Sequence, residues 1–248
     1  MKPCRILFAA LLAAIAFAPV VLLADDSPES IPLEPVADAI PLDGLRHAVA
    51  CPPFQGPAEV ASVYRDEIIR LLNANPRIEF LEGPKALAKN APAFIYHVTG
   101  EVAPGKDGAL TVSVRLVDVA RRETIASFSA PVSTNRADLA KWCRTIRRDM
   151  DRRARAIPFE CAVQQHADSP NLTLDRGLSA GLQPGMVLYV LRRETPILSH
   201  ATGQEIGRDT PRALGQIKIY RVVDNAAYAR PLPGTVIPKN RKIYAREF

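Results

Sequence analysis

Residues Asn171–Leu191, NLTLDRGLSAGLQPGMVLYVL, contain the pattern that decides the fold of the C-terminal part of the chain. Two apolar runs, Leu172–Leu174 and Met186–Leu191, flank a region that is spaced by glycines. Pro184 and Gly185 suit the central positions of a type II turn, because proline presets φ and glycine accepts a positive φ. Short strands joined by tight turns predict a small barrel or sandwich, and not a helical or doubly wound domain.

The strand pattern extends on both sides of this stretch, from Pro158 to the end of the chain. Further strand-like runs follow one another without a convincing helical period, at Phe159–Gln165, Ala213–Val223, Asn225–Ala229 and Lys242–Ala245. Turn signals at Thr202-Gly203 and Pro233-Gly234 separate some of these runs. Several short strands at this spacing predict a closed small β-barrel over residues 158–248.

The preceding part, residues 45–157, mixes helices and strands. A short apolar strand, Ala48–Cys51, comes before an amphipathic helix that we predict between Ala58 and Leu72. Apolar and polar residues alternate between Phe94 and Val132, which predicts a three-stranded antiparallel meander. A second helix is expected over Asp138–Ala156. The predicted fold class is therefore α+β, with an α/β domain followed by a small all-β barrel.

The second predicted helix concentrates positive charge. Seven cationic residues lie off its apolar stripe: Arg153 and the six that form the candidate contact surface, Lys141, Arg144, Arg147, Arg148, Arg152 and Arg155. One interpretation is a solvated outer face, in which arginines near the helix end are favoured by the helix dipole. The other is a candidate basic contact surface for an acidic partner, anionic lipid or a cell-wall polymer.

Residues 1–24 have the pattern of a secretory signal peptide. Lys2 and Arg5 form a positive n-region, Ile6–Leu23 is almost wholly apolar, and Ala24 supplies the small residue before cleavage. The alternative is an uncleaved membrane anchor. With cleavage, we expect a periplasmic protein without a stable membrane span.

An acidic segment follows, residues 25–44, with four prolines, six acidic residues and no basic one. It has neither a helical nor a strand period, so we predict an extended, mobile linker that acts as a spacer or a docking segment. The whole chain has a formal charge of +6, and loss of Lys2 and Arg5 leaves +4. This charge is too small to indicate nucleic acid as a partner.

Three cysteines remain after the expected cleavage: Cys51, Cys143 and Cys161. An oxidising compartment allows one disulfide with one thiol left over, in any of three pairings. The alternative is that all three are buried thiols that behave as small apolar side chains. No CxxC motif and no Cys/His cluster occurs, so we expect no metal site and no cofactor.

The segment Gly177–Gly181 matches the G-x-S-x-G pattern of a nucleophile elbow around Ser179. That motif requires a helix directly after the serine, whereas here a Pro-Gly turn and a strand follow. Downstream, only Glu194 precedes His200, the last histidine, and both lie within one or two strands of Ser179. We therefore predict no catalytic residues and a protein that is not an enzyme.

Both predicted domains resemble known families. The matching segments of the first are Ala48–Phe54, Val98–Val102 and Val112–Asp118, which resemble the N-terminal domain of TolB and its curli-secretion and flagellar relatives. In the second, Leu174, Gly177, Gly181–Met186 and Ala201–Gly207 resemble the C-terminal SH3-like module of the flagellar assembly protein T family.

The resemblance implies a TolB N-terminal-like α/β sandwich followed by a small all-β SH3-like barrel. It also implies a periplasmic, non-enzymatic assembly or scaffold subunit that contacts envelope proteins, such as flagellar motor or basal-body components. A cell-wall-binding or peptidoglycan-synthase-regulating module, with peptidoglycan as partner, is the alternative function. The matched positions are turn glycines and core strands, so the resemblance assigns no binding residue.

Overall fold

The computed structural model describes residues 40–83, 91–105, 108–166, 170–192, 196–208, 212–238 and 242–247. The predicted signal peptide and most of the predicted acidic linker lie outside these ranges. Within them, the chain is α+β, with two α-helices, a five-stranded sheet and a closed six-stranded barrel.

The five-stranded sheet has the order β2-β1-β3-β4-β5. Its strands are β1 (His47–Ala50), β2 (Ile78–Leu81), β3 (Ile95–Pro104), β4 (Leu110–Asp118) and β5 (Glu123–Pro131). Strand β1 lies between β2 and β3 and runs parallel to both, whereas β3, β4 and β5 are antiparallel to their neighbours in the meander. The predicted meander is confirmed, with Val112 and Val114 of β4 buried as the alternation requires.

Two helices pack on this sheet, α1 (Ala58–Asn73) and α2 (Arg136–Ala156). The Asn135 side chain begins α2 by accepting a hydrogen bond from the backbone N–H of Ala137, as an N-cap residue does. The helix ends before Ile157, whose extended backbone is what the following Pro158 favours. Both predicted helices are therefore confirmed, and α2 starts two residues earlier than expected.

The barrel closes in the order β11-β12-β7-β6-β13-β8, with every neighbouring pair antiparallel. Its strands are β6 (Glu160–Gln165), β7 (Leu172–Leu174), β8 (Val187–Arg192), β11 (Ala213–Val223), β12 (Ala226–Pro231) and β13 (Ile243–Arg246). A separate hairpin, β9 (Pro196–Leu198) and β10 (Glu205–Arg208), is inserted between β8 and β11. The sequence predicted the turn of this hairpin but not its strands.

The stretch from β7 to β8 crosses the barrel and does not form a hairpin. In the closed order, two strands separate β7 from β8 in either direction. A single 3-10 turn, Leu178–Ala180, and the buried side chains of Leu182 and Met186 lie between them. Gly185 has φ of 95°, and the N–H of Met186 donates to the carbonyl of Gln183 at 3.3 Å, as a Pro-Gly turn requires. These residues close one end of the barrel.

The described end of the predicted linker also contacts the barrel. Ile40 and Leu42 pack against the barrel core, and Leu45 is part of that core at 1% exposure. The carbonyl oxygen of Gly44 approaches Gly181 so closely that a Cβ atom there would lie 2.1 Å from it. Because Gly181 also has φ of 83°, glycine is required at this position for two independent reasons.

Two arginines, one buried and one half-buried, join the five-stranded sheet to the barrel through ion pairs. The Arg121 guanidinium, in the β4–β5 turn, donates two hydrogen bonds of 2.8 Å to Glu160 of β6 and one of 2.9 Å to Asp118. Arg176, only 3% exposed, donates to Glu79 of β2 at 2.6 Å and to the carbonyl of Arg46 at 2.9 Å. Each arginine neutralises a carboxylate from the other module, so these ion pairs position the two modules.

Candidate interaction surfaces

The six predicted cationic residues of α2 are all exposed: Lys141, Arg144, Arg147, Arg148, Arg152 and Arg155. Arg152 also forms an ion pair with Asp149 of the same helix. Burial acts to raise the pKa of Asp149, but hydrogen bonds from Arg153 and Arg152 outweigh it and hold that pKa below its ordinary value. The six residues thus share one solvated helix surface, which we call the α2 basic face.

The neighbouring residue Arg153 has a different role. Its guanidinium donates to Asp149 at 2.6 Å and to the backbone carbonyl of Ile125 in β5 at 2.9 Å. Arg153 therefore holds the C-terminal half of α2 against the sheet. Because of this contact, Arg153 is half-buried, whereas Arg152 and Arg155 on either side of it are exposed.

A groove of about 630 Å³ lies beside the N-terminal half of α2, next to β5. Its apolar walls include Phe128, Leu139 and Trp142, and Lys141 is the one member of the α2 basic face that lines it. The strand β5 pairs with β4 on one side and forms an edge of the sheet. An edge strand offers backbone hydrogen-bonding groups to another chain. The groove beside it is therefore a candidate binding surface, and the sequence pattern did not predict it.

The β9–β10 hairpin is a second surface that sequence reasoning missed. Ile197, Leu198 and Ile206 are 47%, 53% and 69% exposed. Ile197 and Leu198 are consecutive strand residues, whose side chains point to opposite faces. In the described sheets, β9 and β10 pair only with each other. Both faces of this hairpin therefore present aliphatic side chains to solvent.

Ser179 lies in the 3-10 turn Leu178–Ala180, between β7 and β8. Its N–H donates to the carbonyl of Asp224 at 3.2 Å. The chain thus forms strand, short turn and strand here, which is not the strand-turn-helix geometry of a nucleophile elbow. The proposed acid, Glu194, lies outside the described residues.

All three expected cysteines are buried free thiols in the structure. Cys51 and Cys143 belong to the core between the sheet and the helices, whereas Cys161 belongs to the barrel core. Burial raises the pKa of the Cys51 thiol to about 11 and raises the pKa values of Cys143 and Cys161 as well. The thiols are therefore protonated and unreactive at neutral pH.

Within the described ranges, no group of three or more His, Cys, Asp or Glu side chains is arranged to hold a metal ion. His166 contacts the hydroxyl of Thr173 at 2.8 Å, and Asp168, two residues further on, is outside those ranges.

Neither α1 nor α2 has the length and apolarity needed to cross a membrane, and the same holds for every helix among the described residues.

No protein-family model matches the chain, and no curated protein matches it. Among solved structures, the chain is similar to a PelC dodecamer from Paraburkholderia phytofirmans, with 18% identity and a TM-score of 0.31 over 44% of this chain and 88% of that one. It is also similar to TolB from Acinetobacter baumannii, with 13% identity and a TM-score of 0.31 over 78% of this chain and 62% of that one. These are weak likenesses of fold, and they carry no functional argument.

Proposed function

We propose that this chain is an exported, non-catalytic assembly subunit of the cell envelope, which acts through protein–protein contacts during flagellar ring assembly. The proposal includes the finer resemblance of its modules to the TolB N-terminal domain and to the SH3-like module of the flagellar assembly protein T family. The observation that carries it is the exposed apolar hairpin β9–β10.

The hairpin needs a partner for energetic reasons. A two-stranded hairpin has little stability of its own in water, and a buried aliphatic side chain contributes about 1.5–3 kcal/mol relative to an exposed one. Ile206 and Leu198 lack more than half of this contribution, because their side chains are 69% and 53% exposed. A protein surface that covers them would supply it, and exposed aliphatic patches commonly mark such contacts.

The rest of the molecule fits a scaffold. The ion pairs of Arg121 and Arg176 fix the sheet and the barrel relative to one another. The hairpin and the groove beside β5 are therefore held at a set distance from each other. A subunit that brings other proteins together requires such separate surfaces on a body that does not bend between them.

The test is site-specific photo-crosslinking in the cells that make this protein. The photoreactive residue replaces Ile206 in one variant and Val236 in the matched control, since both side chains are aliphatic and 69% exposed. We expect discrete protein adducts from position 206, with basal-body proteins among them, and none of these from position 236. An absence of protein adducts at position 206, or the same adducts at both positions, would contradict the proposal. Retention of the chain on purified peptidoglycan without such adducts would favour the cell-wall alternative.

A further inference from the structure

Another surface with a defined chemistry lies on the outer face of β11 and β12. It consists of Lys218, Tyr220, Arg221, Tyr228 and Arg230, which we call the basic-aromatic strip. Lys218, Arg221 and Arg230 are exposed, Tyr220 is 40% exposed, and Tyr228 is half-buried. Ile219 and Ala229 face the barrel core, as strand alternation requires. A β-bulge between Ile219 and Arg221 interrupts this alternation and leaves both Tyr220 and Arg221 on the outer face.

The two arginines of the strip are stacked on the two tyrosines. The guanidinium of Arg230 lies over the ring of Tyr220, 4.7 Å from its centroid, and that of Arg221 lies over Tyr228 at 5.4 Å. The two rings are 6.4 Å apart. The Nε–H of Arg230 also donates to Asn171 Oδ1 at 3.3 Å. Stacking restricts these long side chains, so binding of an anion would cost less conformational entropy than at unrestrained arginines.

The pairing of strands places like charges side by side. Lys218 and Arg230 are direct cross-strand partners in the β11–β12 register. Like charges opposite one another destabilise a sheet unless an anion lies between them. Neither β11 nor β12 contains an acidic residue, and the adjoining strands β7 and β8 contain none either. Among these four strands, no carboxylate neutralises the Lys218–Arg230 pair, and an external anion would do so.

We propose that the basic-aromatic strip binds an extended acidic segment of a partner protein. Lys218 and Arg221 share the outer face of β11 because a β-bulge lies between them, and their partners Arg230 and Tyr228 are two residues apart on β12, which is about 7 Å in a strand. Carboxylates two residues apart in an extended peptide have a similar spacing, and a carboxylate matches the planar fork of a guanidinium. A nucleobase or a sugar ring would instead have to compete with the guanidinium that already covers a face of each tyrosine.

This inference goes beyond the proposed function and does not depend on it, because the hairpin and the strip are tested separately. It also discriminates between two positively charged regions of the same chain. The α2 basic face has more arginines than the strip, but the ion pair that it makes within α2, between Arg152 and Asp149, involves no aromatic ring. If total charge alone determined binding, α2 would be the stronger site.

The experiment measures binding of the full chain to poly-L-glutamate at low ionic strength, by fluorescence anisotropy of the labelled polymer. One variant combines Arg221→Gln with Arg230→Gln, and the matched control combines Arg147→Gln with Arg148→Gln, so that both lose two charges. We expect the first to weaken binding about tenfold, because it removes two pre-oriented guanidinium–carboxylate contacts. We expect the control to change it by less than about twofold, because exposed ion pairs contribute little.

A third variant separates pre-orientation from charge. Tyr220→Leu keeps every cation of the strip but removes the ring beneath Arg230, and we expect it to weaken binding several-fold. Equal losses in the strip and the α2 variants would overturn the proposal, as would unchanged affinity of the strip variant. Tighter, strip-dependent binding of polygalacturonate or of a single-stranded oligonucleotide with the same number of charges would show that the partner class is wrong.

Discussion

Arginine is used in opposite ways in two regions of this molecule. At the junction between the sheet and the barrel, Arg176 is 3% exposed and bonds to a carboxylate and a backbone carbonyl from residues distant in sequence. On the α2 basic face, Arg144, Arg147 and Arg148 are exposed to solvent. A buried guanidinium has to be paired, whereas a solvated one does not. The same residue type is thus structural in one region and available for contacts in the other.

The difference also explains why charge in the sequence was a poor guide to structure. The α2 arginines dominate the sequence pattern because they are clustered, yet exposed ion pairs typically contribute only about 0–1 kcal/mol. Arg121 and Arg176 belong to no such cluster, and the sequence pattern does not single them out. Their importance follows from the largely buried carboxylates of Glu160 and Glu79, which the packing of the sheet against the barrel brings to them.

The largest expected effect is at the junction. Arg176→Ala should lower the free energy of unfolding by about 3–5 kcal/mol, because it leaves the Glu79 carboxylate without its cation in a largely buried site. Denaturant unfolding monitored by circular dichroism measures this change. The double variant Arg176→Met with Glu79→Gln should lose clearly less, since neither replacement leaves a buried charge. A loss below about 1 kcal/mol for Arg176→Ala would mean that this buried arginine stabilises the fold no more than an exposed one does.

A smaller effect is expected at His47, which is near the same junction. Burial is the main cause that lowers the pKa of His47 from 6.5 to about 4, and the positive charge of Arg176 lowers it further. The hydrogen bond between the ring and the carbonyl of Ala154, at 3.1 Å, acts in the opposite direction. The folded state therefore keeps this ring neutral in a range of pH where the unfolded chain protonates it.

The sign of the pH dependence follows from this difference. Between pH 6.5 and pH 4 the unfolded state binds the additional proton, so stability is retained above pH 6.5 and falls as the pH is lowered, by about 3 kcal/mol in total for this group. His47→Gln retains a side-chain donor for the Ala154 carbonyl and does not titrate. Denaturant unfolding at pH 7 and at pH 4 should therefore show a smaller decrease for the variant than for the natural chain. Identical decreases would mean that His47 is not buried as the structure has it.

The smallest effect is expected on the α2 basic face. The triple replacement of Arg144, Arg147 and Arg148 by glutamine should change the free energy of unfolding by no more than about 0.5 kcal/mol per site, since surface substitutions seldom do more. The same unfolding measurement applies. A loss comparable to that of Arg176→Ala would show that these exposed arginines stabilise the fold as much as the buried arginine of the junction does.

Local patterns in the sequence determined the elements of this protein. Alternation over Leu110–Asp118 and apolar spacing in Ala58–Leu72 predicted a strand and a helix that the structure contains. The Pro184-Gly185 pair predicted a turn, and the short runs around it predicted a closed barrel. These predictions succeeded because strand and helix periodicity and the positive φ of glycine depend on neighbouring residues. The hairpin β9–β10 was missed because strands of three and four residues are too short to show a period.

Only the tertiary structure decided which residues meet. Arg176 contacts Glu79, 97 residues away in sequence, and the carbonyl of Arg46, 130 residues away. The barrel order places β7 across from β8, and the register of the β11–β12 hairpin brings Lys218 beside Arg230. Burial and charge partners depend on contacts across the whole chain, whereas helix and strand periods depend on a few adjacent residues. For this reason the sequence predicted the elements, and the fold alone revealed the junction and the strip.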